Sequence, residues 1–184
     1  MSGAATVEGD EKLRLFLAVE LPEAVSGRLR EWAPGHLSGG RILDSFHITL
    51  AFLGSRPRSE LPGILDALGG AAADAVPFTL TPVRYRETRS VGMLVLDDPS
   101  GESTRLAEDV QRRLEELGVY RREARPWLPH VTVLRFRERP RLSPPLPAIE
   151  PFAPSEAAAF LSRLHRTGAR YEVLERYALG SAGP

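Results

Sequence analysis

The chain has 184 residues, of which 24 are basic and 24 acidic, so its formal net charge is zero, and it contains no cysteine. Disulfides and thiolate metal sites are therefore excluded, and no overall charge attracts the protein to nucleic acid. The apolar content of 42% predicts an ordinary globular core, and no apolar run is long enough to predict a transmembrane helix. The polar N-terminus lacks the apolar segment of a signal peptide, so we expect a cytoplasmic location.

The first part of the chain alternates strand and helix patterns. Residues 1–12 are polar and are expected to form a flexible tail, and residues 13–184 a single two-lobed domain. A compact apolar run and strand alternation predict strands, while helical apolar spacing and prolines in first turns predict helices. The predicted strands are residues 13–19, 41–43 and 47–53, and the predicted helices are residues 22–32 and 59–75.

The second part repeats this order with more strands. Residues 155–166 fit either a helix or a strand, and we choose a strand because an alternating segment follows as a partner. The whole order is β-α-β-β-α and then β-β-α-β-β-β, which is an α+β pattern in two comparable halves. The prediction comprises strands at 78–85, 92–97, 130–136, 155–166 and 171–179, a helix at 103–118, and a proline-rich loop at 140–154.

Two short stretches share one pattern: histidine, an apolar residue, threonine and a second apolar residue. They begin at His47 and His130, one in each half of the chain. Side chains alternate along a strand, so each histidine shares a face with the threonine two residues on, Thr49 or Thr132. A lone histidine in a strand is usually structural, but two copies of the pattern indicate a shared site. Strict alternation places Phe52 on the face opposite His47.

Two imidazoles and two hydroxyls suit the cleavage of a phosphodiester. A histidine titrates near ~6.5, so one ring can donate a proton to a leaving oxygen while the other accepts one from water. The threonine hydroxyls can hydrogen-bond to the non-bridging phosphate oxygens. This scheme needs no metal and no cofactor. A catalytic zinc site takes three protein ligands, and no Gly-x-Ser-x-Gly elbow of a serine hydrolase is present, so both alternatives are weaker.

Several segments resemble a known family. The paired His-x-Thr motifs are specific to the 2H phosphoesterase superfamily, and the Arg-Pro-Trp-Leu-Pro-His approach to His130 resembles its RNA 2′,3′-cyclic phosphodiesterase branch, also called 2′-5′ RNA ligase or LigT-like. The matching segments span nearly the whole chain: residues 14–19 with 21–22, residues 47–50 with 52–54, residues 125–132 with Arg135, and residues 168–174.

The resemblance implies a two-lobed, pseudo-twofold α+β fold, with antiparallel sheets lining a central cleft and helices outside. It also implies metal-free opening of 2′,3′-cyclic phosphates at RNA ends or on nucleotides, to leave a 2′-phosphate. Under it, His47 and His130 are the catalytic pair, and Thr49 and Thr132 bind the phosphate. We assign His47 as the acid for the leaving 3′ oxygen and His130 as the base for water.

The resemblance further implies that Phe16 and Arg135 sandwich a base, although Phe16 fits the core equally well. Strict alternation puts Arg135 on the face opposite His130, so a bulge or a strand end must redirect it. Arg135 also begins an alternating run that either follows RNA phosphates or forms a solvated edge, namely Arg135, Arg137, Arg139 and Arg141.

One departure from the family lies just before His47. Family members usually carry a tryptophan and an asparagine there, whereas residues 41–46 read Arg-Ile-Leu-Asp-Ser-Phe. We therefore expect the substrate wall beside His47 to differ more than the chemistry does. Two other functions stay open: reversible 2′-5′ ligation of RNA at the same site, and an RNA-binding module whose histidines only hold phosphate. The expected state is a monomer with no membrane partner.

Overall fold

A computed structural model describes residues 10–180 of the chain. The described elements follow the predicted order, and the strand chosen for residues 155–166 is confirmed as β7. A single 3₁₀ turn, Arg58–Glu60, precedes α2. The elements are β1 (Lys12–Glu20), α1 (Glu23–His36), β2 (Arg41–Ile42), β3 (His47–Pro57), α2 (Leu61–Asp74), β4 (Thr81–Glu87), β5 (Val91–Asp97), α3 (Glu102–Glu116), β6 (His130–Arg135), β7 (Glu156–His165) and β8 (Gly168–Ala178).

The strands form two antiparallel sheets that exchange elements between the halves of the chain. Sheet A has the order β3-β1-β7-β8, and sheet B has the order β2-β6-β5-β4. The late strands β7 and β8 thus join the early strands, while the early strand β2 pairs with β6. Each sheet carries one His-x-Thr strand, and β3 contacts β6. The α+β prediction is confirmed, but the two sheets do not coincide with the two sequence halves.

Successive side chains of β1 project alternately on the two faces of sheet A. Its leucines at 13, 15 and 17 and Val19 enter the main core beneath α2 and α3. The intervening positions, Phe16 and Ala18, form a second, smaller apolar cluster with Ala158 and Phe160 of β7. We call the face that carries this smaller cluster the cleft face of sheet A. The helices therefore cover one face of the sheet and leave the cleft face to functional side chains.

The proline-rich crossover after β6 is anchored by one buried carboxylate. Glu87 accepts hydrogen bonds from the backbone N–H groups of Leu142 at 2.8 Å and Arg141 at 3.0 Å. It also pairs with the Arg139 guanidinium at 3.1 Å. Burial alone would raise the pKa of Glu87, but the hydrogen bonds to its carboxylate outweigh burial and hold the pKa below its ordinary value. Arg139 is therefore committed to this anchor and does not belong to a free basic track.

The expected N-terminal tail falls mostly outside the described residues, since residues 1–9 are not among them. Its last part contacts the loop before α2: Arg58 pairs with Glu11 at 2.8 Å, and the backbone N–H of Ser59 donates to Asp10 at 3.2 Å. Lys12 already belongs to β1. Across residues 10–180, no helix combines the length and the apolar character needed to span a bilayer.

Candidate active site

The first histidine lies at the start of β3, where two irregularities set the direction of the side chains. The β1–β3 register shifts twice, so that β3 carries an extra residue at Leu50 and another at Leu53. Such a bulge reverses the alternation of the residues that follow it. His47, Thr49 and Phe52 consequently lie on one face, opposite β1 positions that alternate regularly: Glu20, Ala18 and Phe16, respectively.

Strand β6 repeats this arrangement in sheet B. Its register with β5 shifts between Gly92 and Met93, which leaves Val133 as the extra residue. The bulge that Arg135 required is confirmed, because Arg135 now shares the face of the histidine and the threonine. His130, Thr132 and Arg135 lie opposite Val95, Met93 and Val91, which are successive same-face positions of β5.

Phe52 and Arg135 therefore occupy equivalent places, each five residues after its histidine and each beyond a bulge. Phe52 is 62% exposed, and Arg135 is also exposed. The expectation that Phe52 lies opposite His47 was wrong, because the bulge at Leu50 was not visible in a pattern of alternating residues. The two strands thus present a pseudo-symmetric set of histidine, threonine and a large exposed side chain.

A side-chain hydrogen bond joins the two motifs. The indole Nε1 of Trp127, three residues before His130, donates to the main-chain carbonyl of Thr49 at 3.0 Å. The next carbonyl of the bulge, that of Leu50, accepts from the buried amide of Gln111 at 2.8 Å. β3 is the edge strand of sheet A, with a neighbouring strand on one side only, and backbone carbonyls on the outer side need other donors. Side chains from the second half of the chain therefore hold the first motif in place.

Aromatic rings surround His47. Its ring centroid lies 4.8 Å from that of Phe16, 5.5 Å from that of Tyr171 and 5.9 Å from that of Phe160. Burial is the largest cause that lowers the pKa of His47, the positive charges of Arg135 and then His130 add to it, and together they bring the pKa to about 4. The charges of Arg135 and His130 thus act on the His47 ring from across the cleft. At neutral pH this ring is a neutral imidazole.

His130 is oriented by the backbone. Its Nδ1 lies 2.7 Å from the carbonyl oxygen of Leu128. A carbonyl oxygen only accepts, so Nδ1 carries a hydrogen and Nε2 is the atom left to exchange a proton with a ligand. His36 and His165, the other two histidines, lie at the exposed ends of α1 and β7. The structure therefore gathers His47 and His130 and leaves the other two histidines outside the site.

Phe16 lies below the surface of the site. It is only 2% exposed, and its ring stacks on that of Phe160 at 4.8 Å with an interplanar angle of 6°. The rings of Phe52, Tyr171 and His47 cover the remainder of it. Phe16 has no free face for a base in this conformation, so the core alternative describes its position. Phe52 is the exposed ring of this cluster.

A cavity of about 230 Å³ opens beside His47 and Phe160. Its wall includes Asp44 and Ser45, from the segment that departs from the family pattern. Glu20 and the start of α1 complete it, where Arg30 pairs with Glu23 at 2.9 Å. Carboxylates outnumber the single cation in this lining. Because Glu20 pairs with Arg176 and Glu23 with Arg30, Asp44 is the carboxylate of this lining that no ion pair of residues 10–180 neutralises, whereas the Arg135 end is basic.

Metal ligands are not gathered at this site. Within residues 10–180, no group of three or more histidine, cysteine, aspartate or glutamate side chains is placed to hold a metal ion. The aromatic neighbours Phe160 and Tyr171 were not singled out from the sequence. Phe160 lies in an alanine-rich stretch with ambiguous structure, while Tyr171 begins a predicted strand in which nothing local connects it with His47.

Two antiparallel sheets that present paired His-x-Thr strands define the two-histidine class of phosphoesterase fold. The comparison with family models agrees, since the model described as the 2′-5′ RNA ligase superfamily matches residues 21–167. The chain belongs to this superfamily.

Curated relatives support the assignment along most of the chain. A protein of Escherichia coli named RNA 2′,3′-cyclic phosphodiesterase is 30% identical, with 92% of this chain and 98% of the relative covered. A Thermus thermophilus protein of the same name is 34% identical, covering 91% of this chain and 90% of the relative. The E. coli LigT structure complexed with 3′-AMP is 27% identical, covers 92% of this chain and 99% of its own, and gives a TM-score of 0.79.

Proposed function

We propose that the protein hydrolyses 2′,3′-cyclic phosphate ends of RNA or of nucleotides to 2′-phosphates, by a metal-independent reaction of two histidines. The observation that carries the proposal is the pseudo-symmetric set of His47, Thr49, His130 and Thr132 on two contacting strands. Relatives named RNA 2′,3′-cyclic phosphodiesterase and a related structure complexed with 3′-AMP support the substrate class.

The environments of the two histidines give them different roles. The lowered pKa of His47 keeps its ring neutral, which suits the base that takes a proton from water. The water oxygen attacks phosphorus, the bond to the 3′ oxygen breaks, and His130 gives its proton to that oxygen. His130 can do so from Nε2, because Nδ1 is held by the carbonyl of Leu128. This polarity reverses the assignment made from the sequence.

The remaining side chains hold the phosphate and the base. Thr49 and Thr132 donate their hydroxyls to the non-bridging oxygens, between the two rings. Arg135, on the same face as His130 and Thr132, adds a positive charge at the far end of this motif. Phe52, rather than the buried Phe16, offers an exposed ring on which the base can stack.

Reversible 2′-5′ ligation is a second candidate function. It uses the same two proton transfers, with an RNA 5′-hydroxyl in place of water. The cavity of about 230 Å³ beside His47 favours this candidate, since it has room for an attacking group larger than water. A non-catalytic module that only binds phosphate is the third candidate function, and it predicts binding without turnover.

Product analysis tests the proposal. The protein is incubated with 2′,3′-cyclic AMP in excess EDTA, and the phosphorus products are identified by ³¹P NMR. Formation of 2′-AMP is the expected result, while a strict requirement for added metal or binding without turnover rejects it. A parallel reaction with RNA pieces ending in 5′-hydroxyl and cyclic phosphate reveals ligation as a longer product.

We further propose that the enzyme acts as a monomer in the cytoplasm. Its lack of cysteine fits a reducing compartment. Sedimentation tests the oligomeric state, and cell fractionation tests the location.

A further inference from the structure

Two arginines stand side by side on the cleft face of sheet B. Arg41 of β2 lies directly opposite Arg135 of β6 in the antiparallel register. Directly opposed residues project on the same face, so Arg41 shares the face of Arg135 and of His130. Both arginines are exposed. Among the ion pairs of residues 10–180, none joins Arg41 or Arg135 to a carboxylate.

Arg41 also crosses to the other sheet. Its guanidinium packs over Gly168, at the turn between β7 and β8, so closely that a Cβ there would lie 2.8 Å from Nη1. Gly168 has a φ of +128°, a conformation that residues with side chains rarely adopt. The glycine therefore leaves room for the guanidinium at the edge of the cleft. Arg41 therefore contacts sheet A at Gly168, and no ion pair of residues 10–180 joins it to a carboxylate.

This arrangement is unfavourable in the free protein, because like charges directly opposite each other on a sheet destabilise it. An anion between the guanidinium groups removes that repulsion. The guanidinium fork matches phosphate oxygens, and arginine pairs of this kind are common phosphate binders. A singly charged phosphodiester is the ligand that fits two arginines placed at the end of β6 and on the neighbouring strand β2, beyond the proposed catalytic phosphate.

We propose that Arg41 and Arg135 bind the phosphodiester that precedes the terminal nucleotide, so that the protein prefers an RNA chain over a mononucleotide. The inference rests on the proposed function and extends it from the reacting end to the chain. The charges of the cleft set the direction of the chain. At the His47 end, Glu20 and Glu23 are paired with Arg176 and Arg30, and Asp44 has no ion pair among those of residues 10–180. The Asp44 carboxylate repels a phosphate backbone there, so the RNA leaves over the arginines.

The test compares two substrates that share the reacting group, 2′,3′-cyclic AMP and the dinucleotide ApA with a 2′,3′-cyclic phosphate. The wild type is expected to show a kcat/KM at least tenfold higher for the dinucleotide, and the advantage should fall with added salt. Arg41→Gln should lose about tenfold in kcat/KM for the dinucleotide and less than twofold for the mononucleotide. Arg41→Lys should restore part of the loss, and Arg28→Gln, an exposed arginine of α1, is the matched control.

Stability separates this role from a structural one. If Arg41 only ties the sheets together, Arg41→Gln should lower the midpoint of urea unfolding and slow both substrates equally, which would overturn the inference. If it binds phosphate, the midpoint should stay level or rise, because a repulsion is removed. Equal wild-type kcat/KM values for the two substrates would overturn the subsite and leave the proposed function standing.

Calorimetric binding of the 2′-phosphate products provides a readout that does not need turnover. The dinucleotide product should bind the wild type about tenfold more tightly than 2′-AMP, and Arg41→Gln should abolish that difference. If neither cyclic phosphate is hydrolysed, the proposed reaction is wrong. The comparison of product affinities still shows whether the arginines bind the preceding phosphodiester. Equal affinities of the two products for the wild type would reject the subsite directly.

Discussion

The indole Nε1 of Trp127 donates a hydrogen bond to the main-chain carbonyl of Thr49 at 3.0 Å. The bond joins the segment leading to His130 with the strand that carries His47. It connects the loop that precedes β6 of sheet B with β3, the edge strand of sheet A. The relative position of the two imidazoles therefore depends on a contact made by neither of them.

Replacing Trp127 by Phe keeps most of the ring packing and removes only the donor. We expect kcat for cyclic phosphate hydrolysis to fall about tenfold or more, since small displacements of reacting groups cost large factors in rate. KM should change little, and the unfolding free energy should drop by about 0.5–1.5 kcal/mol. Steady-state kinetics and urea unfolding measure the two effects.

Trp32→Phe is the matched control. Its Nε1 also donates to a main-chain carbonyl, that of Pro145, at 3.0 Å. The loss of stability should be similar, but kcat should stay at the wild-type value. Equal losses of kcat in both variants would show that the Trp127 bond acts through stability alone.

The titration of His47 is a second prediction. Burial, together with the smaller effects of the Arg135 and His130 charges, lowers its pKa to about 4. Arg135→Gln removes one positive charge from the cleft, so the pKa of His47 should rise. NMR titration of the imidazole signals measures this shift. Arg28→Gln should leave the signal unchanged, and an ordinary titration near ~6.5 in the wild type would contradict the account.

The same lowered pKa makes stability depend on pH. In the unfolded chain histidine binds a proton below about pH 6.5, whereas folded His47 does so only near pH 4. The unfolded state thus binds more protons between these values, and stability falls as the pH decreases through this window. Between pH 7 and pH 4 both proteins lose unfolding free energy. We expect this loss to be about 2–3 kcal/mol smaller in His47→Asn than in the wild type. Urea unfolding of the two proteins at both pH values measures this difference. Equal losses of unfolding free energy in the two proteins would contradict the prediction.

Phe52 and Phe16 should respond in opposite ways. Phe52→Ala removes an exposed ring, so stability should change by less than about 0.5 kcal/mol, while KM for 2′,3′-cyclic AMP should rise severalfold. Phe16→Ala opens a cavity in the smaller cluster and should cost about 3–5 kcal/mol of stability. An unchanged KM in Phe52→Ala would remove this residue from the base site.

Much of the site was accessible from the sequence, because the His-x-Thr pattern is local and appears twice. Alternation placed each threonine beside its histidine, and the order of strands and helices followed from apolar spacing. The direction of Phe52 was not accessible, since a bulge is a property of pairing between strands, and the bulge before Arg135 was predicted only because the family resemblance required it. The contribution of β7 and β8 to the early sheet was hidden for the same reason. Tyr171 and Phe160 therefore reached the His47 site from a distant part of the chain.

The central claim is that two imidazoles on separate strands share the proton transfers of one reaction. Single-turnover rates on 2′,3′-cyclic AMP in EDTA, for the wild type, His47→Ala and His130→Ala, test it most directly. The account predicts that each folded variant loses at least about 10²-fold in rate. It also predicts that the pH–rate profile of each variant lacks one of the two limbs seen in the wild type. A folded variant of either histidine that keeps a rate near the wild type would contradict it.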